Sequence, residues 1–315
     1  VKKRPSKGVQ QSGTGPIARK LIAGLRRYRE QKVVPLVAVR EGRAKYEQIH
    51  ADAERRRDQA PIHGIYLYAH DLIVTMGEFI SGERPAWKLA ERIERYQEEY
   101  GPSGPPISPI TSSFLTTWIV YDVGIGVARE SLGSIALAIF RAMNGADGIA
   151  ELMHALVVSR AGLYVFERWT DLGVELRELV TGERVQAVVP SGRFHDGRGL
   201  WIARVLPPPL PGLPGLALTT PYVVTSPGER EWMAFFERTL GSVTSAAYHA
   251  LMKRGHRAEN YWLEYLFEAY STHTHEAVFV EGLPDVAESR PFSSVNMDKR
   301  AELVVHAPWT TKRPR

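Results

Sequence analysis

This chain of 315 residues contains no cysteine. The absence excludes disulfides, thiolate metal sites and a cysteine nucleophile, and it fits a reducing, cytoplasmic compartment. Long apolar runs are also missing. The most apolar stretch, Ser131 to Phe140, covers ten residues. A bilayer-spanning helix needs roughly 20, so no membrane span is expected. The basic start is followed by Gly, Gln and Ser rather than an apolar run, which argues against a secretory leader. No G-x-S-x-G, G-x-x-x-x-G-K-[ST] or G-x-G-x-x-G occurs. A serine-nucleophile elbow and both common phosphate cradles are therefore excluded.

Acidic residues are absent from the first 29 positions. Residues 1–60 hold 16 Lys+Arg against 6 Asp+Glu, and the remainder holds 24 against 29. The formal net charge of +5 therefore describes one end of the chain. A neutral-to-acidic body carries a basic N-terminal arm.

Three regions are expected: a basic arm with helices over 1–60, a helical region over 61–160, and a sheet with helices and a tail over 161–315. Residues 1–16 lack apolar periodicity. Residues 17–32 predict a short helix with Ile17, Leu21, Leu25 and Tyr28 on one side. A charged helix is expected over 41–59. The strongest helical pattern, about 64–81, places Ile65, Tyr68, Ala69, Leu72, Ile73, Met76, Phe79 and Ile80 on one stripe. Another helix is expected from Pro85 to Tyr100, and the Pro/Gly block at 101–109 breaks the chain. Helical spacing returns over 111–122, 131–143 and 146–160. From 161 the period moves toward two, predicting strands at 163–169, 174–180, 184–189, 200–206 and 216–225. The run PPPLPGLP at 207–214 must leave the ladder, as an excursion on the sheet's edge. Helices at 228–240, 242–254 and 257–271 and short strands at 276–281 and 301–306 complete the pattern. The fold class expected is α+β: helical N-terminal and middle parts, a small antiparallel sheet at about 161–225, and a helical C-terminal part.

Residues 111–225 carry FLTTWIVYD in a helix, then LYVFERWTDLGVELRELVTGERVQAVV and WIARVLPPP. This layout resembles the body of bacterial proteins associated with the SEC-C zinc motif. The shared features are structural: Gly182 for a turn, Asp122 near a helix end, Arg204 beside a strand end. The zinc motif's cysteines are missing, so the resemblance implies an α+β layout and a bacterial, intracellular origin but no zinc site.

Three groups of residues could carry chemistry. His63, His70, Asp71 and Asp122 lie in helices in an order resembling the metal set of HD-type phosphohydrolases. Imidazoles and carboxylates converging from several helices can hold a divalent cation and activate water. A hydrogen-bonded histidine beside an apolar stripe is the plainer alternative for His70. His273 and His275 would share one face of a strand, where both could reach a metal. A third ligand would come from His249, His256 or His306; a polar junction between elements is the alternative. Among the aromatics from Tyr248 to Tyr270, core packing is expected over base stacking.

The third group is the arm. Lys2, Lys3, Arg4, Lys7, Arg19, Lys20, Arg26, Arg27 and Arg29 could neutralise phosphates without reading bases. They could equally pack on a partner subunit, on the chain's own body, or lie on an anionic surface. No cofactor is expected. The reading is a non-catalytic binding or assembly protein whose arm contacts nucleic acid or another acidic partner. The alternative is a metal-dependent phosphohydrolase. The core is expected to begin after the arm, so that residues 1–32 can be removed without unfolding the body.

Overall fold

The computed structural model describes residues 14–30, 61–81, 87–100, 112–190, 199–208, 212–219, 221–226, 228–254, 276–281 and 303–306. The helices are α1 (Pro16–Glu30), α2 (Pro61–Ser81), α3 (Trp87–Tyr100), α4 (Ser112–Tyr121), α5 (Leu132–Ala142), α6 (Asp147–Val158), α7 (Glu229–Leu240) and α8 (Ser245–Arg254). A two-stranded hairpin, β1 (Gly124–Ile125) and β2 (Glu130–Ser131), links α4 to α5. The remaining strands are β3 (Ala161–Thr170), β4 (Gly173–Glu178), β5 (Arg184–Val188), β6 (Leu200–Leu206), β7 (Gly215–Ala217), β8 (Tyr222–Ser226), β9 (Glu276–Glu281) and β10 (Leu303–His306).

These eight strands form one sheet in the order β10-β9-β8-β6-β3-β4-β5-β7, and β7 also pairs with β6. The segment β6-β3-β4-β5-β7 thus closes on itself as a five-stranded barrel. Its β5–β7 pairing is parallel, so the barrel is mixed. This corrects the expected small antiparallel sheet followed by a helical C-terminal part, although short tail strands expected at 276–281 and 301–306 are present at Glu276–Glu281 and Leu303–His306. The sheet is closed, mixed in direction, and extended by β9 and β10 from the tail. The proline run explains the difference. It ends β6 at Leu206, and the returning chain pairs with β6 while inserting beside β5. What reads as an edge excursion is the link that removes the edge. Gly215 sits at the closing point, where a Cβ would meet Leu206 O at 2.9 Å and Gln186 O at 3.0 Å. Only a residue without a side chain lets three strands approach this closely.

Alternation along the strands sorts the barrel into two faces. Tyr164, Val174, Leu176, Ala187, Trp201, Ala203, Val205 and Ala217 form the interior cluster. Leu163, Leu200, Ile202, Leu206, Leu216 and Leu218 join the other cluster, which is shared with the helices. Both faces of β6 are covered, and all seven of its residues are buried.

Helix α5 starts where Ser131 and Ser134 exchange side-chain-to-backbone hydrogen bonds at 3.3 and 2.9 Å, a capping box. It buries Leu132, Ile135, Leu137 and Ile139. Among the described side chains of α2 the buried ones are Ile62, Tyr66, Ala69 and Ile73, at spacings of four, three and four. The stripe predicted for this helix is rotated by part of a turn. Ile65 and Leu72 flank the buried face, half-buried, and Tyr66 takes the central place.

The core does not begin after the arm. Ala18 and Leu21 of α1 are buried in the helical cluster. Arm removal through residue 32 would strip core residues, so the expectation that the body survives it is corrected. Expected helices at 41–59 and 257–271 lie outside the described residues, as do Tyr261, Trp262, Tyr265, Phe267 and Tyr270. Tyr248 packs edge-on against Phe236 with ring centroids 5.2 Å apart, in the core. Among the described residues no helix is long and apolar enough to cross a membrane.

Candidate functional site

The proposed metal set separates in the fold. His63, His70 and Asp71 lie on α2, while Asp122 follows α4. Among the described residues no group of three His, Asp or Glu side chains could hold a metal ion. His70 Nε2 instead lies 3.3 Å from Leu218 O, and its ring packs 4.5 Å from that of Tyr66. Burial pushes the His70 pKa down, against the pull of the Leu218 carbonyl and Asp71. It is a boundary histidine that ties α2 to the end of β7. His273 and His275 lie outside the described residues.

Asp122 has a different role. The turn after α4 directs its carboxylate between the barrel and the helices, where it is 1% exposed. Arg204, on the helix-facing side of β6 and equally buried, donates to Oδ2. Lys253 of α8 donates to Oδ1 at 2.5 Å. The lysine's other two bonds go to Val157 O at 2.7 Å and Ser159 O at 2.6 Å, the open C-terminal carbonyls of α6. Arg204 also donates to Ser159 O at 2.8 Å and to Ser159 Oγ at 3.1 Å. Burial lowers the Lys253 pKa to about 8; Asp122 opposes the shift and Arg204 adds to it. All three ammonium protons have acceptors, so this cluster is a clasp between β6, α4, α6 and α8. The Tyr121 ring lies 5.9 Å from the Arg204 guanidinium, and its buried hydroxyl has no hydrogen-bond partner among the described residues.

A second clasp lies one step along the chain. Arg160 grips Glu178 with two parallel bonds, 2.6 and 2.9 Å, and Thr181 Oγ donates to the same carboxylate at 2.7 Å. Burial opposes the Arg160 charge, but the hydrogen bonds and charge of Glu178 outweigh it and raise the guanidinium pKa. Tyr248 lies beneath Arg160, 5.1 Å from ring centroid to guanidinium carbon, and accepts a bond from Leu163 N at 2.9 Å.

The unmatched charge is elsewhere. Glu130 in β2 is 5% exposed and accepts from Ile17 N and Ala18 N at 2.9 Å each. A buried carboxylate thus caps α1 and favours its positive end. Gly15 makes room for it, since a side chain there would overlap the Glu130 carboxyl. With Ala18 and Leu21 facing inward, Arg19, Lys20, Arg26 and Arg27 are exposed. At 3.6 residues per turn these four positions fall within a sector of about 120°. Lys2, Lys3, Arg4 and Lys7 lie outside the described residues. Arg29 lies in α1.

The single-letter pattern showed α1's two-sided character, and the resemblance singled out Asp122 and Arg204 separately. Lys253, Arg160, Glu178 and Glu130 gave no local signal. Their partners lie 18 to 131 positions away, and spacing rules see only neighbours within a few turns. No family model, no curated protein and no solved structure matches this chain.

Proposed function

We propose that this is a non-catalytic binding or assembly protein of the bacterial cytoplasm that engages nucleic acid through the basic side of α1. One observation supports the reading above the others. The helix is fixed by a buried carboxylate and an apolar face, and it holds Arg19, Lys20, Arg26 and Arg27 outward on one sector. A rigid display of this kind neutralises phosphates with little ordering cost, and it carries charge without a base-reading element. The resemblance to the body of SEC-C-associated proteins belongs to the same proposal.

The test compares the protein with a variant in which Arg19, Lys20, Arg26 and Arg27 are all changed to Gln. Binding of a labelled DNA duplex should weaken with salt at a log–log slope near −0.9 per phosphate contacted. The variant should bind more weakly with a flatter slope, and show equal folding by circular dichroism. Equal affinity and slope for both would remove α1 from the function. Binding by neither would favour a protein partner, which light scattering can detect.

A further inference from the structure

We propose that α1 lies across the minor groove of a B-form DNA duplex, with Arg19 and Lys20 on the phosphates of one strand and Arg26 and Arg27 on those of the other. The proposal rests on the nucleic-acid reading above and names the class of nucleic acid.

The spacing comes from the helix. Arg19 and Arg26 lie within about 20° of each other around the axis, and so do Lys20 and Arg27. The four cations therefore form two pairs, Arg19 with Lys20 and Arg26 with Arg27, about 10.5 Å apart along the axis. Ala23 lies between the pairs at the centre of the sector, followed by Gly24, and both are exposed. A Cβ at Gly24 would meet nothing within 4 Å. The face is thus cationic at both ends and small in the middle. It cannot turn to another side, because Ala18 and Leu21 are in the core and Glu130 holds Ile17 N and Ala18 N. Glu30, the only acid in α1, lies one turn beyond Arg26 and ends the basic sector.

The B-form minor groove is roughly 6 Å wide, or about 12 Å between phosphate centres once a phosphate radius of about 3 Å is added on each side. The long stems of arginine and lysine cover the remaining difference. The major groove, roughly 12 Å wide, separates its phosphates by about 18 Å, too far for these pairs. A single strand carries half the axial charge density of a duplex. Proteins that hold single strands add aromatic stacking platforms. Among the described side chains of α1, no exposed one is aromatic.

The test uses the full chain, Arg19→Gln/Lys20→Gln, Arg26→Gln/Arg27→Gln and the fourfold variant. The probes are a labelled A-tract duplex, its single strand, a G·C-rich duplex and an RNA duplex. The A-tract has the narrower minor groove, so the parent should bind it about threefold more tightly than the G·C-rich duplex. It should bind the A-tract duplex about tenfold more tightly than the single strand at low salt. Each paired variant should flatten the salt slope on that duplex by about 1.8, from two contacts at roughly 0.9 each, with circular dichroism unchanged. If one pair alone carries the slope, or the two DNA duplexes bind alike, α1 does not span the groove. Equal or tighter binding of the single strand or the RNA duplex overturns the assignment to duplex DNA, while a flattened slope in the fourfold variant still upholds α1 as the contact. If the fourfold variant binds every probe like the parent, the α1 reading itself fails, and this inference with it.

Discussion

Two regions of this molecule handle positive charge in opposite ways. At the junction of barrel and helices, Arg204, Lys253 and Arg160 are buried or nearly so, and carboxylates or carbonyls meet them. On the outward side of α1 the cations Arg19, Lys20, Arg26 and Arg27 are exposed and gathered. Burial explains the first pattern, because a charge taken from water must be paired and fully hydrogen-bonded to persist. It does not explain the second, since solvated arginines need no company. Matched charges hold the fold, and the proposed function rests on the clustered ones.

The largest effect should come from breaking the matched set. Arg204→Ala leaves Asp122 with Lys253 alone and removes the donors to Ser159. Loss of one partner from a buried pair costs about 3–5 kcal/mol. The urea midpoint should fall accordingly. A change of less than about 1 kcal/mol would mean that water or Lys253 replaces the guanidinium, and the clasp would lose its importance.

Helix positions, strand positions and the turn at Thr181 were legible because they depend on local period and turn chemistry. Even the tail strand at Glu276–Glu281 follows from its alternation. Barrel closure was not legible. It depends on a parallel pairing of Ala187 with Gly215 that no local period encodes. The candidate site divides the same way. Arg19, Lys20, Arg26 and Arg27 were recognisable from helical spacing. Asp122 was noticed, but its grouping with His70 assumed a convergence that α2 and α4 do not make.

Helix α1 belongs to both regions, and its inward side should produce the next effects. Leu21→Ala removes a side chain that is 5% exposed and should cost about 2–5 kcal/mol. Glu130→Ala should cost about 1–2 kcal/mol, because the helix loses its cap and two charge-assisted bonds. Hydrogen exchange should show faster exchange at Ile17 and Ala18 in that variant. Unchanged protection there would mean that the apolar face alone holds the helix.

A subtler effect separates burial from pairing at Lys253. Its folded pKa of about 8 lies below the ordinary 10.5. Below pH 8 both folded and unfolded chains carry the proton, so this group adds no pH dependence. Between pH 8 and 10.5 the unfolded chain holds more protons, and stability due to this residue rises with pH. Relative to Lys253→Met, the parent should therefore gain melting temperature across that window. A relative loss would show that attraction to Asp122 exceeds the cost of burying the amine.

The smallest effect on stability should come from the outward side of α1, and that smallness is what the comparison requires. Arg19, Lys20 and Arg26 are exposed, and the Arg27 Nε bond to Ala23 O, 3.3 Å long, stays within its own helix. Exposed charges of this kind contribute little to folding. Replacing all four by Gln should leave stability within about 0.5 kcal/mol, since glutamine keeps a comparable helix propensity. Relief of repulsion between neighbouring cations could make the variant slightly more stable. A loss of several kcal/mol would place these residues with Arg204 as parts of the fold and remove the separation between the two regions. With stability unchanged, any lost affinity for the duplex is a property of the surface, because the helix beneath it has not moved.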